Sequence, residues 1–505
     1  MAITAGNNLN KVPAPQQQAL ESNYLDFNQD MGWAQQYLPD LMEKEAEVFG
    51  QRTISGFLEK VGAEEAMSSD QVIWSEQGRL HLSYKGTLHA TDGAAIGNAG
   101  GDANIAEFTC THDIDGNAIS STHGVRVNDT VIISNAQGIF KCLVTATDVG
   151  TSGKIDVEPY DGTVLSTDAT AQGTTLLVYG SEYGKGMSYV TKDGLANTTD
   201  ARGANEPAFK TYSNKPIIMK DYYEVSGSDT SRVGWVEITG ESGQSGYLWY
   251  LKAEADTRSR FTDYLEMAML EGELNHADSQ LDGATILKGS VAGGASRVGT
   301  EGLFAAIESR GNITSGVTGV NAATDLAEFD AILAEFDKQG AIEEYMMFVN
   351  RATSLAMDDM LASMNSYGAG GTSYGVFDND EDMALNLGFS GFRRGSYDFY
   401  KSDFRYLNDK ATRGGINAAS AANAIRGVMI PAGTSTVYDQ SLGKNLKRPF
   451  LHVRYRASDT DNRKMKTWTT GSVGASTSAL DAMQVHFLSE RCLVTQGANN
   501  FMLMK

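Results

Sequence analysis

Apolar and polar positions change their period several times along this 505-residue chain, and each change marks a part. Residues 1–30 are rich in Asn and Gln and carry little periodic apolar signal, which predicts an extended arm. In residues 31–62, Leu38, Leu41, Met42, Ala46 and Phe49 fall near one face, so a helix is predicted. The runs 72–76 and 80–84 read as two short strands around a turn at Gln77 and Gly78.

From about Thr87 to Gly180 helical spacing vanishes. Short β runs at 106–111, 130–134, 138–146, 154–159 and 174–179 alternate with Gly, Asn, Asp and Thr turns. This spacing predicts a small antiparallel barrel or sandwich over 87–180, inserted into the surrounding chain. Residues 125–133 alternate like a half-buried strand pair.

Beyond Gly180 the texture changes again, with strands predicted at 215–219 and 233–239. Residues 245–277 give the longest helical signal, with Leu251, Phe261, Leu265 and Met269 among apolar positions recurring every three or four residues. Such a helix spans roughly 50 Å, and its charged opposite face predicts a spine lying on a sheet. A short helix is predicted at 302–309. An amphipathic one follows at 325–339, with Leu326, Phe329, Ile332, Leu333 and Phe336 on one face and Gly340 closing it. A buried strand at 345–349 then meets Asn350 as an N-cap and a helix over 351–364. Residues 366–425 are loop-rich and aromatic, with a short helix predicted at 418–426. Strands at 427–430, 450–457, 484–488 and 501–504 close the chain.

Composition adds limits. Hydrophobic residues make up 41% and charged residues 21%, ordinary globular usage for a chain of about two to four domains. Gly is frequent (54) and Pro scarce (8), which fits many turns better than disordered linkers. The net charge of −22 disfavours tight sequence-independent nucleic-acid binding, though not loose enclosure of nucleic acid. It also favours solubility at high concentration. Cys110, Cys142 and Cys492 are far apart with no CxxC spacing, so buried reduced thiols of a cytosolic protein are expected. Residues 1–20 contain no apolar leader, and no run reaches the ~20 apolar residues of a membrane span. A soluble product made in the cytoplasm, with no membrane partner, is expected.

Motifs with chemistry are weak. Gly180-Ser181-Glu182-Tyr183-Gly184-Lys185-Gly186 imitates a phosphate loop, but it has three residues between glycines and no hydroxyl after the lysine. Asp113-Ile114-Asp115-Gly116-Asn117 imitates the start of a calcium loop, without Gly at the sixth position or Glu at the twelfth. The Gly-rich stretch 368–375 lacks a dinucleotide-binding context. The seven His form no metal-ligand spacing, and no nucleophile elbow is present. No catalytic residue, cofactor or metal is therefore expected. Arg393, Arg394 and the basic run 444–448 lie beside aromatic or apolar residues, which fits an oligomer rim better than a DNA contact.

The order of these parts resembles that of the tailed-bacteriophage major capsid proteins, a fold shared with the herpesvirus capsid floor. The strand-to-helix corner at 345–353 resembles that family's central domain. The resemblance implies an α+β chain with an N-terminal arm and first helix (1–50), the start of an extended loop (51–86) and the inserted β domain (87–180). It further implies a peripheral domain (181–310) with spine helix 245–277, an axial domain (311–450), and a return to the peripheral domain (451–505). The size and insertion are similar to larger capsid lineages such as the crAss-like phages. Implied function is assembly into hexamers and pentamers of an icosahedral head around double-stranded DNA, with a virion location after synthesis in the bacterial cytoplasm. Implied partners are copies of itself, portal, scaffold, decoration or head-fibre proteins, and DNA held by weak contacts. Candidate inter-subunit contacts are Trp74, Leu80, Tyr84, Arg393, Arg394, Tyr397, Tyr400 and Arg448. Alternatives are a bacterial nanocompartment shell, or a β-rich carbohydrate-binding or adhesive surface protein.

Overall fold

The computed structural model describes residues 63–77, 81–89, 105–119, 122–148, 152–186, 209–228, 237–239, 245–275, 299–340, 342–364, 391–419, 423–432, 434–439, 444–472 and 476–505. The expected arm and first helix lie outside these residues. The described chain forms two compact units. One runs up to Trp74 and from Tyr212 onward; the other is Ser75–Thr211.

The chain begins with β1 (Ala63–Met67) and leaves the first unit through β2 (Val72–Gln77). The second unit is a closed barrel of β3 (Ser83–His89), β4 (Ala106–Asp113), β5 (Asp129–Asn135), β6 (Gly138–Asp148), β7 (Lys154–Pro159) and β8 (Thr174–Ser181). The strand order is β3-β4-β7-β6-β5-β8. Alternation sends Leu88, Phe108, Cys110, Val131, Ile133, Cys142, Val144, Ile155, Val157 and Leu176 inward as one core. Of the two architectures expected, the barrel forms, because β3 pairs with both β4 and β8 and leaves no edge.

Two sequence expectations fail here. The runs 72–76 and 80–84 do not form a hairpin. β2 pairs instead with β9 (Phe209–Asn214), and β3 belongs to the barrel. Nor is 125–133 a strand pair. Asn128 adopts φ 71, Asp129 N–H donates to Arg126 O (3.1 Å), and the Asp129 carboxylate accepts from Arg126 N–H (2.9 Å). That turn delays the strand to Asp129.

The first unit holds two larger sheets. One places β1, β20 (Leu451–Arg456), β22 (Ala482–Thr495) and β10 in that order, with β21 (Lys466–Gly471) also on β22. Here β10 is Ile217–Ser226, and the short pair β11 (Glu237–Thr239) and β12 (Ser245–Tyr247) precedes the long helix α1 (Leu248–Glu271). The sequence predicts 245–277 for this helix. Pairing of 245–247 in β12 removes its start. At its end, a Cβ on Gly272 would meet Ala268 O at 2.6 Å and Thr300 O at 2.7 Å, and Gly272 O accepts from Gly302 N–H (2.8 Å). The helix is therefore about 36 Å long. Phe261 and Leu265 seat it on Val485 and Phe487.

After α1 come α2 (Leu303–Arg310), β13 (Asn312–Thr314), α3 (Ala322–Gln339), β14 (Glu344–Val349) and α4 (Arg351–Met364). The Asn321 side chain caps α3 through Thr324 N–H, and Gly340 ends it at φ 65. The Asn350 side chain accepts from Thr353 N–H (2.8 Å), so the predicted corner forms with its predicted cap. Next are β15 (Gly391–Arg394), β16 (Tyr397–Asp403) and the helix α5 (Arg413–Ala419). The helix expected at 418–426 overlaps α5 only at 418–419, and among the described residues 424–426 are not helical. Asn417 binds Ile425 twice, donating to its O (2.8 Å) and accepting from its N–H (3.1 Å).

The chain finishes with β17 (Gly427–Pro431), β18 (Thr434–Asp439), β19 (Lys444–Pro449), β20 (Leu451–Arg456), β21 (Lys466–Gly471), β22 (Ala482–Thr495) and β23 (Met502–Met504). The second large sheet has the order β13-β23-β17-β14-β16-β15. On one face, Tyr345, Met347 and Phe399 pack with Phe329, Ile332 and Phe336 of α3 and Met357, Met360 and Leu361 of α4. On the other, Phe348, Val428 and Leu503 share a core with α2, the end of α1, and Leu451, Val453 and Leu493 of the first sheet. The end of the chain is therefore divided between the two sheets. At Gly497 (φ 62) the backbone turns, and β23 joins β13 and β17 instead of the sheet that holds β22.

Candidate functional site

The motif-like spans resolve into turns. The Asp113 carboxylate accepts from Asn117 N–H (2.8 Å) and its side-chain amide (2.9 Å), while Gly116 takes φ 91. This is a self-satisfied polar turn. Residues 180–186 are the end of β8 and a turn with Gly186 at φ 84. The stretch 368–375 lies outside the described residues. Among the described residues no group of three or more His, Cys, Asp or Glu could hold a metal ion, and no helix is long and apolar enough to cross a membrane. All three cysteines are buried and unpaired to one another, and burial pushes each thiol up to about 12.

Within the first unit, Trp74 at the middle of β2 and Tyr212 of β9 form a polar and aromatic cluster with Arg310 of α2. Trp74 and Tyr212 sit 6.2 Å apart, and the Arg310 guanidinium lies 4.6 Å from the Tyr212 ring centre and 5.8 Å from that of Trp74. Glu301 holds Arg310 at 3.0 Å. Two residues along β9, the buried Asn214 amide donates to Glu301 O (2.9 Å) and Leu493 O (2.6 Å). Its carbonyl accepts from Glu301 N–H (2.9 Å) and the Thr300 hydroxyl (3.2 Å). One side chain thereby fastens β9 to the start of α2 and to β22. In sequence this Asn is one of many, so nothing local singles it out.

The residues singled out as inter-subunit contacts divide by exposure. Trp74 (7% exposed) and Tyr397 (5%) are buried within the chain. The Tyr397 hydroxyl donates to Asp337 (2.6 Å), and burial followed by that carboxylate raises its pKa to about 12. Tyr84 belongs to the barrel, where its hydroxyl accepts from Gly124 N–H (2.8 Å) and burial raises its pKa. Arg394 forks onto Asp330, Nε to Oδ1 and Nη2 to Oδ2 both at 2.7 Å, tying the β15 hairpin to α3. Arg393 sits 3.6 Å from Asp398, and Tyr400 is 50% exposed. Leu80 lies outside the described residues. Arg448 falls in β19 opposite Ser435.

Other surface groups carry no obvious sequence motif. On β10, Ile218 (53%) and Tyr222 (56%) are exposed, and every second residue from Ile218 to Glu224 faces outward. Tyr222, His486 and Trp468 form a row across β10, β22 and β21, with ring centres 5.9 and 5.1 Å apart. A signal for this face was present. Ile217-Ile218 and Tyr222-Tyr223 put large side chains on both faces of one strand. On the barrel, Tyr160 and Tyr179 are each 51% exposed, and the Tyr160 hydroxyl donates to Glu182.

No family model and no curated protein matches the chain. Among solved structures it is similar to one from Microbacterium phage Oxtober96, at 10% identity and TM-score 0.36 over 95% of this chain and 99% of that one. It is similar to the capsid structure of the cyanophage P-SCSP1u, at 8% identity and TM-score 0.34 over 65% and 80% of the two chains. It is also similar to a mature capsid chain of bacteriophage PhiM1, at 10% identity and TM-score 0.30 over 62% and 78%.

Proposed function

We propose that this chain is the major capsid subunit of a tailed bacteriophage, assembling into hexamers and pentamers of an icosahedral head that encloses double-stranded DNA. The observation that carries this reading is α1 seated on β10 and β22, followed along the chain by the β14–α4 corner in a second sheet. That is the order of parts implied by the sequence resemblance. Exposed apolar groups on separate elements (Ile218 and Tyr222 on β10, Leu355 on α4, Tyr400 on β16) support it, because a shell subunit meets several neighbours at once. The chain's −22 charge suits a wall around DNA that closes without gripping it. Portal, scaffold, decoration and head-fibre proteins are the partners this role requires.

Electron microscopy of the purified recombinant protein tests the reading. Shells, hexamers or pentamers are expected. A monomer that persists across concentration and salt overturns it. Particles carrying protein cargo, with no nuclease-protected DNA in infected cells, would replace the phage head with a nanocompartment shell.

A further inference from the structure

β10 is the outer strand of its sheet among the described residues. The direction of its backbone groups follows from β22. Glu490 N–H donates to Arg463 O (3.0 Å) and Gln496 N–H to Phe450 O (2.8 Å), both on the β20 and β21 side. Even-numbered β22 residues thus point away from β10, and odd-numbered ones toward it. In the observed register Phe487 lies opposite Asp221 and Ser489 opposite Met219, so odd-numbered β10 residues fill that ladder. The N–H and C=O groups of Ile218, Lys220, Tyr222 and Glu224 therefore point outward. The Tyr222 N–H turns to its neighbour's Asp221 carboxylate (2.9 Å), a stopgap acceptor that Arg260 also holds at 3.2 Å. No proline or bulge interrupts the ten-residue strand, so it lacks two of the usual guards of a free edge.

We propose that two copies of this chain join edge to edge through β10, antiparallel and centred on Tyr222, to make one continuous sheet. Charge selects both the occupant and the register. Centring on Tyr222 sets Lys220 opposite the second copy's Glu224, and Glu224 opposite the second copy's Lys220. It also sets outward-pointing groups against outward-pointing groups, as a ladder requires. Sliding the centre to Lys220 or to Glu224 faces like charges across the axis. Tyr222 meets its own copy beside the ring row with His486 and Trp468, and Ile218 faces Ser226. This pairing goes beyond the shell reading. It stands on the strand's own geometry and holds for a closed shell or an isolated dimer.

Cysteine crosslinking of the full chain tests it, since all three native thiols are buried. With diamide as oxidant, Tyr222→Cys should give a covalent dimer, because facing Cα atoms in such a pair lie about 5.5 Å apart, within disulfide reach. Lys220→Cys or Glu224→Cys alone should not, while a mixture of the two should give heterodimers. Sedimentation of the charge variants gives an independent readout. Lys220→Glu should weaken association by about tenfold, and Lys220→Glu with Glu224→Lys should restore it. Absence of the Tyr222→Cys dimer, or equally fast crosslinking of Lys220→Cys alone, overturns the pairing. Shells without the crosslink would refute the pairing and leave the shell reading standing. Crosslinked dimers that never build shells would do the reverse.

Discussion

The guanidinium carbon of Arg310 lies 4.6 Å from the centre of the Tyr212 ring, and Glu301 holds the same side chain from α2's approach at 3.0 Å. A planar cation on an aromatic face at a half-buried position contributes on the order of 1 kcal/mol. Lys keeps the charge but not the stacked plane. Arg310→Lys should therefore cost about 1 kcal/mol in chemical denaturation. In a double-mutant cycle with Tyr212→Leu the losses should be less than additive. Strict additivity would show that the two side chains do not interact.

Asn214 supplies both donors and an acceptor to a buried junction. Asn214→Ala leaves Glu301 N–H and Leu493 O without this partner and should cost about 3 kcal/mol. Asn214→Asp is expected to be worse, since a carboxylate would face the Glu301 and Leu493 carbonyl oxygens. Unfolding midpoints of the two variants check the ranking; equal losses would contradict it.

His123 is buried in the barrel, edge-on to Tyr84 with ring centres 6.3 Å apart. Burial lowers its pKa to about 4, so the folded barrel keeps it neutral. The unfolded chain takes up a proton below about 6.5, and the folded one does not until about 4. Stability is therefore fully present above about 6.5 and falls as pH drops toward 4, by up to about 3 kcal/mol. Thermal melts between pH 7 and about 4 should show this slope. His123→Phe should flatten it, and an unchanged slope would assign the effect to other groups.

At Gly86 the β3 register shifts, and a Cβ there would lie 2.0 Å from Thr109 O. Gly86→Ala should push β3 off β4 and cost about 3 kcal/mol. Hydrogen exchange should rise across 83–181 while amides of β22 keep their protection. Matching losses in both places would mean that the two units unfold together.

Legibility in the sequence followed range. The β14–α4 corner was readable because a buried strand, an Asn cap and a helical period adjoin one another. The barrel strands were readable because alternation is local, and closure needed only the pairing of first with last. The partner of β2 was not readable, since β9 lies beyond the whole barrel and no local pattern records it. The switch of β23 into the other sheet hangs on one left-handed glycine, Gly497, which resembles any other turn glycine in the sequence. Arg394 reads as a free rim charge until Asp330 is seen beneath it. The β10 face was not read, since only 215–219 reads as a strand. The doubled pairs Ile217-Ile218 and Tyr222-Tyr223 fit two occupied faces, but they record nothing of the outward direction of the backbone groups.

The barrel's first and last strands are neighbours, Ser83 beside Leu177, and the chain arrives and departs through β2 and β9, which are themselves paired. In genetic terms the coding sequence between them is a cassette. A recombination event can add, delete or exchange it in a single step, because its two ends meet at one place and the reading of the host strands on either side is unchanged. The barrel can therefore diversify faster than the framework that carries it. The same junction is where a foreign domain of any fold with adjacent termini could be spliced.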